Sequence, residues 1–217
     1  MYFAEGGNTL YSGEVKKECN GISTERRTAR LLSRRYALTA TSYKYLEIGI
    51  NVGPPSYVEI AIGDHQGREL ILSVETWKGL YEQRWNISKL IRNDYKDNFI
   101  SVGPLTIKVS VMNDVRLIRL ESSNVYVTVI ESTLHRMFSL YECINVMFER
   151  LVRIVDTVDV KYTQFLNIAS NVMNQEKAIR ESNIFDMRQL VDCELLALFF
   201  TAYTMYSQQT INCLLLN

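Results

Sequence analysis

Two stretches of this chain run closely parallel: INVGPPSYVEIAIGD at residues 50–64 and ISVGPLTIKVSVMND at residues 100–114. Each carries an apolar residue, a small polar one and Val-Gly-Pro, then an alternating segment that ends at Asp. In both cases the period then changes from two to about 3.6, the passage from strand to helix. In ETWKGLYEQRWNISKLIRN, Trp77, Leu80, Tyr81, Ile87, Leu90 and Ile91 fall on one helical stripe. In ESTLHRMFSLYECINVMFERLVRIV, Leu134, Phe138, Tyr141, Ile144, Phe148 and Leu151 do the same. The unit of strands followed by one helix thus recurs with a period of about fifty residues. A small sheet with one helix buries too little surface to be comfortable alone. Two copies can set their helices side by side and cover each other's sheets. The doubling therefore predicts an α+β fold, in which two tandem units of curved antiparallel sheet plus one helix form a pseudo-dimer.

The first unit is expected over residues 43–97 and the second over 98–154. SYKYLEIGINV sets Tyr43, Tyr45 and Glu47 against Lys44, Leu46, Ile48 and Ile50, the alternation of a strand. SYVEIAIGD and ELILSV supply two more, joined at DHQGRE, where Gly67 suits a left-handed turn position. The second unit reads as NFISV, LTIKVSVM, VRLIRLES and VYVTVI, so the first is one strand short of it. Residues 155–217 carry no strand signal and read as two helices joined near Ser182-Asn183. The second of these is apolar nearly all round between Leu195 and Met205, which calls for burial on more than one face. This helical C-terminal extension either caps the repeat or makes a homo-oligomer interface.

Among the 217 residues, hydrophobic side chains make up 47% and charged ones 22%, enough for a sizeable core, and the net charge is zero. Charge is unevenly placed. Residues 1–45 hold eight Lys/Arg against four Asp/Glu, and residues 155–217 hold four against seven. Residues 1–42 read as a basic arm, with a short helix over 23–36 that would align Arg26, Arg30 and Arg34 on one face. The four cysteines are far apart without a C-x-x-C, which speaks against both a disulfide framework and a zinc site. The start shows no signal peptide, and the apolar run at 195–206 is too short to span a bilayer. An intracellular protein is expected, nuclear rather than cytoplasmic, with no membrane partner.

The segment YVEIAIGDHQGRELILSVETWKGL, 57–80, resembles the single-stranded-DNA-binding domain of the transcriptional positive cofactor four family. Asp64-His65-Gln66-Gly67-Arg68 stands at that family's Asp-aromatic-Lys-Gly-Lys turn, and ETWKGL at its helix-opening Trp and Leu. The second unit keeps the layout with Leu134 in place of the Trp. The resemblance covers about residues 43–154. It implies a covalent version of a dimer whose paired sheets hold melted DNA or RNA. By this resemblance Arg68 is a basic contact, His65 a stacking residue at the turn, and Lys108, Arg116 and Arg119 strand contacts. Arg116 and Arg119 are three apart, so a regular strand turns them to opposite faces. The chain departs from the family in a turn poorer in Lys, and in Glu59 and Glu69, which bring negative charge where phosphates should run.

Binding a single strand without sequence preference takes cations along the phosphates and flat side chains under the bases. Lys44, Tyr45, Tyr57, His65, Arg68, Lys108, Arg116 and Arg119 are the candidates, with Tyr43 and Tyr126 beside them. Lys16, Lys17, Arg26, Arg27, Arg30, Arg34 and Arg35 would add a phosphate grip from the arm. Catalysis has no motif: there is no Walker loop, no G-x-S-x-G and no H-E-x-x-H, and the two histidines are His65 and His135. No metal or cofactor is expected. The reading is thus a non-enzymatic binder of single-stranded DNA, or RNA, in transcription, replication or genome maintenance. The alternative is a protein-interaction scaffold on the same fold.

Overall fold

The structure is a computed structural model, and it describes residues 29–53, 55–92, 99–170 and 172–200. It contains two four-stranded antiparallel sheets, each in simple sequence order. The first comprises β1 (Arg30–Ala37), β2 (Lys44–Asn51), β3 (Tyr57–Asp64) and β4 (Glu69–Leu72). It is followed by α1 (Val74–Glu82) and α2 (Arg84–Arg92). The second comprises β5 (Phe99–Val102), β6 (Leu105–Met112), β7 (Val115–Ser122) and β8 (Val125–Ile130), followed by α3 (Glu131–Ser139) and α4 (Tyr141–Val152). Then come α5 (Val155–Ala169), α6 (Gln175–Arg180) and a helical stretch over 190–200. The architecture is the expected α+β pair of tandem sheet units with C-terminal helices.

Period-two alternation decides which face of each sheet is buried. Leu46, Ile48 and Ile50 on β2, Ile60 and Ile62 on β3, and Leu70 and Leu72 on β4 turn to the helices and are essentially inaccessible. Ile107, Ile118, Leu120, Val127 and Val129 do the same in the second sheet. Burying each such side chain contributes about 1.5–3 kcal/mol, so this shared core dominates the stability. The helices repeat position by position: Thr76, Trp77 and Leu80 are buried on α1, and Thr133, Leu134 and Met137 on α3. Each unit also covers its neighbour, with α4 lying against β2 and β3 while α1 and α2 reach β5 and β6. Tyr81 and Tyr141 stack across the helix seam, centroids 3.7 Å apart and planes 8° from parallel.

Five expectations need correcting, the fifth being that the single tail helix expected before Ser182 is two, α5 ending at Ala169 and α6 beginning at Gln175. The helix placed over 23–36 is replaced, from Arg30 to Ala37, by strand β1. That strand supplies the fourth member of the first sheet, so the first unit is not one strand short and begins within the stretch assigned to the arm. A bulge hides it: the register shifts between Leu31 and Arg34, with Leu32 at φ 51°, so period-two alternation is broken. Each long helix is in fact two, interrupted at Gln83 and at Leu140, which are matching positions of the repeat.

The fourth correction concerns Val-Gly-Pro itself, which does not mark equivalent places. Val52-Gly53 follows β2, whereas Val102 ends β5 and Gly103-Pro104 forms the tight turn into β6, with Gly103 at φ 56°. The two copies sit one strand apart in repeat order. The true correspondence runs through the helices, Val74 with Glu131 and Gln83 with Leu140, and gives a period somewhat longer than the triplet suggests.

The tail packs against the first unit. Phe165, Val158, Ile179, Leu195 and Leu196 join the common core. The Asp159 carboxylate accepts from the Ser56 backbone N–H at 2.9 Å, in the loop between β2 and β3. The Glu194 carboxylate accepts from the N–H of Leu32, the bulged residue of edge strand β1. A bulge and a covered donor together blunt that edge against pairing with another chain. Lys161 holds Asp192 at 2.8 Å and donates to the Ile184 carbonyl, pinning the connection between the tail helices.

Candidate nucleic-acid interface

The faces turned away from the helices are the two candidate floors, and they differ. On the first sheet the outward positions include Tyr45, Glu47, Gly49 and Asn51 of β2, Tyr57, Glu59, Ala61 and Gly63 of β3, and Glu69 of β4. Arg30 lies flat over Gly49, where an added Cβ would come within 2.8 Å of the Arg30 Cβ. Its guanidinium side chain is 1% exposed and is held by Glu59 and Glu69, with the Glu47 carboxylate 3.7 Å away. Burial alone would lower the Arg30 pKa. Hydrogen bonding to Glu69 and the charges of Glu59 and Glu69 outweigh it and hold the group above the ordinary arginine value.

Tyr45 completes the closure. Its ring lies on Gly63, where a Cβ would meet the ring at 2.4 Å, and its hydroxyl donates to Glu69 at 2.8 Å. Arg35 covers the other side, its guanidinium carbon 3.9 Å from the ring centroid, and is also ion-paired with Glu47. Tyr45 is 2% exposed, so it presents no stacking surface. Arg30 is an internal cation of this network rather than a phosphate grip, and the partly exposed Arg35 has its charge matched by Glu47. Tyr57 remains half exposed, with its hydroxyl near Glu59 and Asn51, and its pKa is raised by burial and by the Glu59 charge.

The second floor is open. Its outward rows, read across β5 to β8, are Ser101, Thr106, Glu121 and Tyr126, then Phe99, Lys108, Arg119 and Thr128. Leu117 and Ile130 follow, then Met112 beside Val115. Phe99 is 61% exposed, and the Lys108 and Arg119 side chains are 53% and 40% exposed. Arg119 lies over the Tyr126 ring at 3.8 Å from its centroid. Arg68, from the turn of the first unit, comes to 5.6 Å of the same ring. The floor therefore gathers cations from both units around one aromatic at the seam where β4 meets β8.

Arg68 is placed by the local turn. The Asp64 carboxylate accepts from the backbone N–H groups of Gln66 and Arg68 and from the Arg68 Nε at 3.0 Å, while Gly67 takes φ 89°. Burial lowers the Arg68 pKa, but hydrogen bonding to Asp64 wins and raises it. Across the floor Glu121 holds Arg119 at 3.1 Å and Lys108 at 3.4 Å. Desolvation pushes the Glu121 pKa up, yet these two cations outweigh it and lower it. Glu121 is thus ionised at neutral pH and shares its charge between the two cations.

The remaining candidates stand elsewhere. Arg116 and Arg119 do point to opposite faces: Arg116 turns to the helix side and donates to the Ile91 carbonyl at the end of α2, at 2.6 Å. It is a helix-end contact, not a floor cation. Lys44 shares the parity of Leu46 and sits off the floor, its pKa lowered chiefly by burial. His65 is exposed in its turn but meets Tyr43 edge-on at 3.8 Å, a T-shaped pair. Arg34 is exposed on β1, while Lys16, Lys17, Arg26 and Arg27 lie outside the described residues. Phe99 is absent from the sequence candidates, and it is the pairing of β5 with β6 that sets it opposite Lys108.

Among the described residues no group of three His, Cys, Asp or Glu is placed to hold a metal, and no helix is long and apolar enough to cross a membrane. Comparison of the chain with family models, with curated proteins and with solved structures finds no match.

Proposed function

We propose that this protein binds single-stranded nucleic acid, DNA rather than RNA, without catalysis, on the outer face of its second sheet. The observation that carries the reading is the exposed row Phe99, Lys108 and Arg119 beside Tyr126, with Arg68 contributed across the seam by the other unit. Exposed cations neutralise phosphates, and the rings of Phe99 and Tyr126 offer bases a stacking surface of about 1–3 kcal/mol each. The resemblance to the positive cofactor four family supports the same use of the strand face and a role in transcription, replication or genome maintenance.

The test is fluorescence anisotropy of a labelled single-stranded oligonucleotide at two salt concentrations. The native chain is expected to bind with an affinity that falls steeply with salt, because counterions are released from each neutralised phosphate. Lys108→Glu with Arg119→Glu should abolish it. Equal binding by the variant, or none by the native chain at low salt, would refute the proposal.

A second reading, a protein-interaction scaffold, is favoured by one specific observation: Arg30, Glu47, Glu59 and Glu69 close the first floor. That face cannot present a pair of phosphate tracks as two like sheets would.

A further inference from the structure

On the helical side of the molecule, away from both floors, a groove of about 280 Å³ opens between α1–α2 and α3. Tyr81, Arg84, Trp85, Ser88, His135 and Phe138 line it, with Ser139 at its rim. Trp85 is 69% exposed, although large aromatics are ordinarily kept from water. The Arg84 guanidinium lies 4.4 Å from the Tyr81 ring centroid and 5.6 Å from that of Trp85, with one N–H donated to the Tyr81 carbonyl at 3.1 Å.

The internal repeat explains why the groove is there. The position matching Arg84 is Tyr141, and its ring fills the helix seam, stacked on Tyr81 and 6.1 Å from Trp77. Arg84 folds back over the end of α1 instead, and the position matching Trp85 is the acidic Glu142. One side of the pseudo-two-fold is therefore plugged by an aromatic, while the other is left as a cleft with an aromatic wall and a cation.

The geometry points to a docking site for a short acidic segment of a partner protein. An aromatic or long aliphatic side chain of that segment would lie between Trp85 and Phe138, and an adjacent carboxylate would meet Arg84. Charge decides against a nucleic-acid strand here. Arg84 is the one permanent cation among the groove's lining residues, and His135 is already within 3.5 Å of the Glu131 carboxylate. One carboxylate is matched by this arrangement; a run of phosphates is not. An exposed Trp and an Arg side by side are also the residue types that dominate protein interfaces. The site is independent of the strand-face proposal, since none of its residues lies on a sheet.

Panning short random displayed peptides on the full-length protein tests it, with Ser139→Phe as the groove-blocked counter-selection. Peptides that pair Phe, Leu or Trp with Asp or Glu should be enriched on the native chain alone. A Trp-free member should shift the emission of Trp85, Trp77 being the only other tryptophan and 1% exposed. Arg84→Glu should weaken that peptide at least about tenfold, the order of a charge-assisted hydrogen bond, with unchanged circular dichroism and unchanged oligonucleotide binding. Enrichment of basic peptides, full binding by Arg84→Glu, absence of any peptide that Ser139→Phe excludes, or displacement by a single-stranded oligonucleotide would each overturn the proposal.

Discussion

The outer faces of the two sheets are built on the same strand order and differ in what their long side chains do. On the first, Arg30 and Tyr45 lie down over Gly49 and Gly63 and are bonded to carboxylates, so the polar groups satisfy one another. On the second, Lys108, Arg119 and Phe99 stand exposed, and a single acid, Glu121, engages both cations. The contrast teaches that the glycines matter as much as the charges. Without a Cβ at two outward positions, large side chains can collapse onto the sheet and shut it.

The largest expected effect comes from breaking the closed face. Arg30→Met leaves Glu59 and Glu69 buried without their cation and should cost about 3–5 kcal/mol in chemical denaturation. Adding Glu59→Gln and Glu69→Gln to it should recover part of the loss. A cost below about 1 kcal/mol, the value of an exposed pair, would mean the face is not closed. Next in size, Phe99→Ala with Tyr126→Ala should weaken single-strand binding by about 1–3 kcal/mol for each base left unstacked, read by anisotropy, with little change in salt slope.

A smaller effect, of opposite sign, sharpens the contrast. Glu121→Gln releases Lys108 and Arg119 and should tighten binding by up to about fivefold, the scale of an exposed ion pair. Weaker binding in that variant would mean that Glu121 orients the cations rather than competing for them. The smallest effect is a control. Lys44→Ala should leave binding within about twofold, because a lysine off the floor neutralises no phosphate. A loss as large as that of Lys108→Ala would put the binding face on the wrong side of the sheet.

Much of the fold was legible because it is written in periodicity. Leu46, Ile48 and Ile50 alternate cleanly, and Trp77, Leu80, Ile87, Leu90 and Ile91 keep helical spacing. That same regularity concealed the break at Gln83, since the apolar stripe continues across it. Strand β1 was missed because Leu32 and Ser33 stand opposite a single residue, which erases alternation and leaves Arg26, Arg30 and Arg34 looking like a helix face. Of the residues that line the second floor, Lys108 and Arg119, with Arg68 at its seam, are candidates already by residue type and resemblance. The fate of Tyr45 could not be read from its own segment, because the space its ring fills is made by Gly63 on the neighbouring strand.

The covalent join between the halves has one more consequence. In a dimer of identical chains every substitution is written twice, so a residue that silences one surface silences its mirror image. Here Arg30 occurs once, as does Arg84, and each half is free to drift to its own employment. Two similar halves within one chain therefore need not present the same surface.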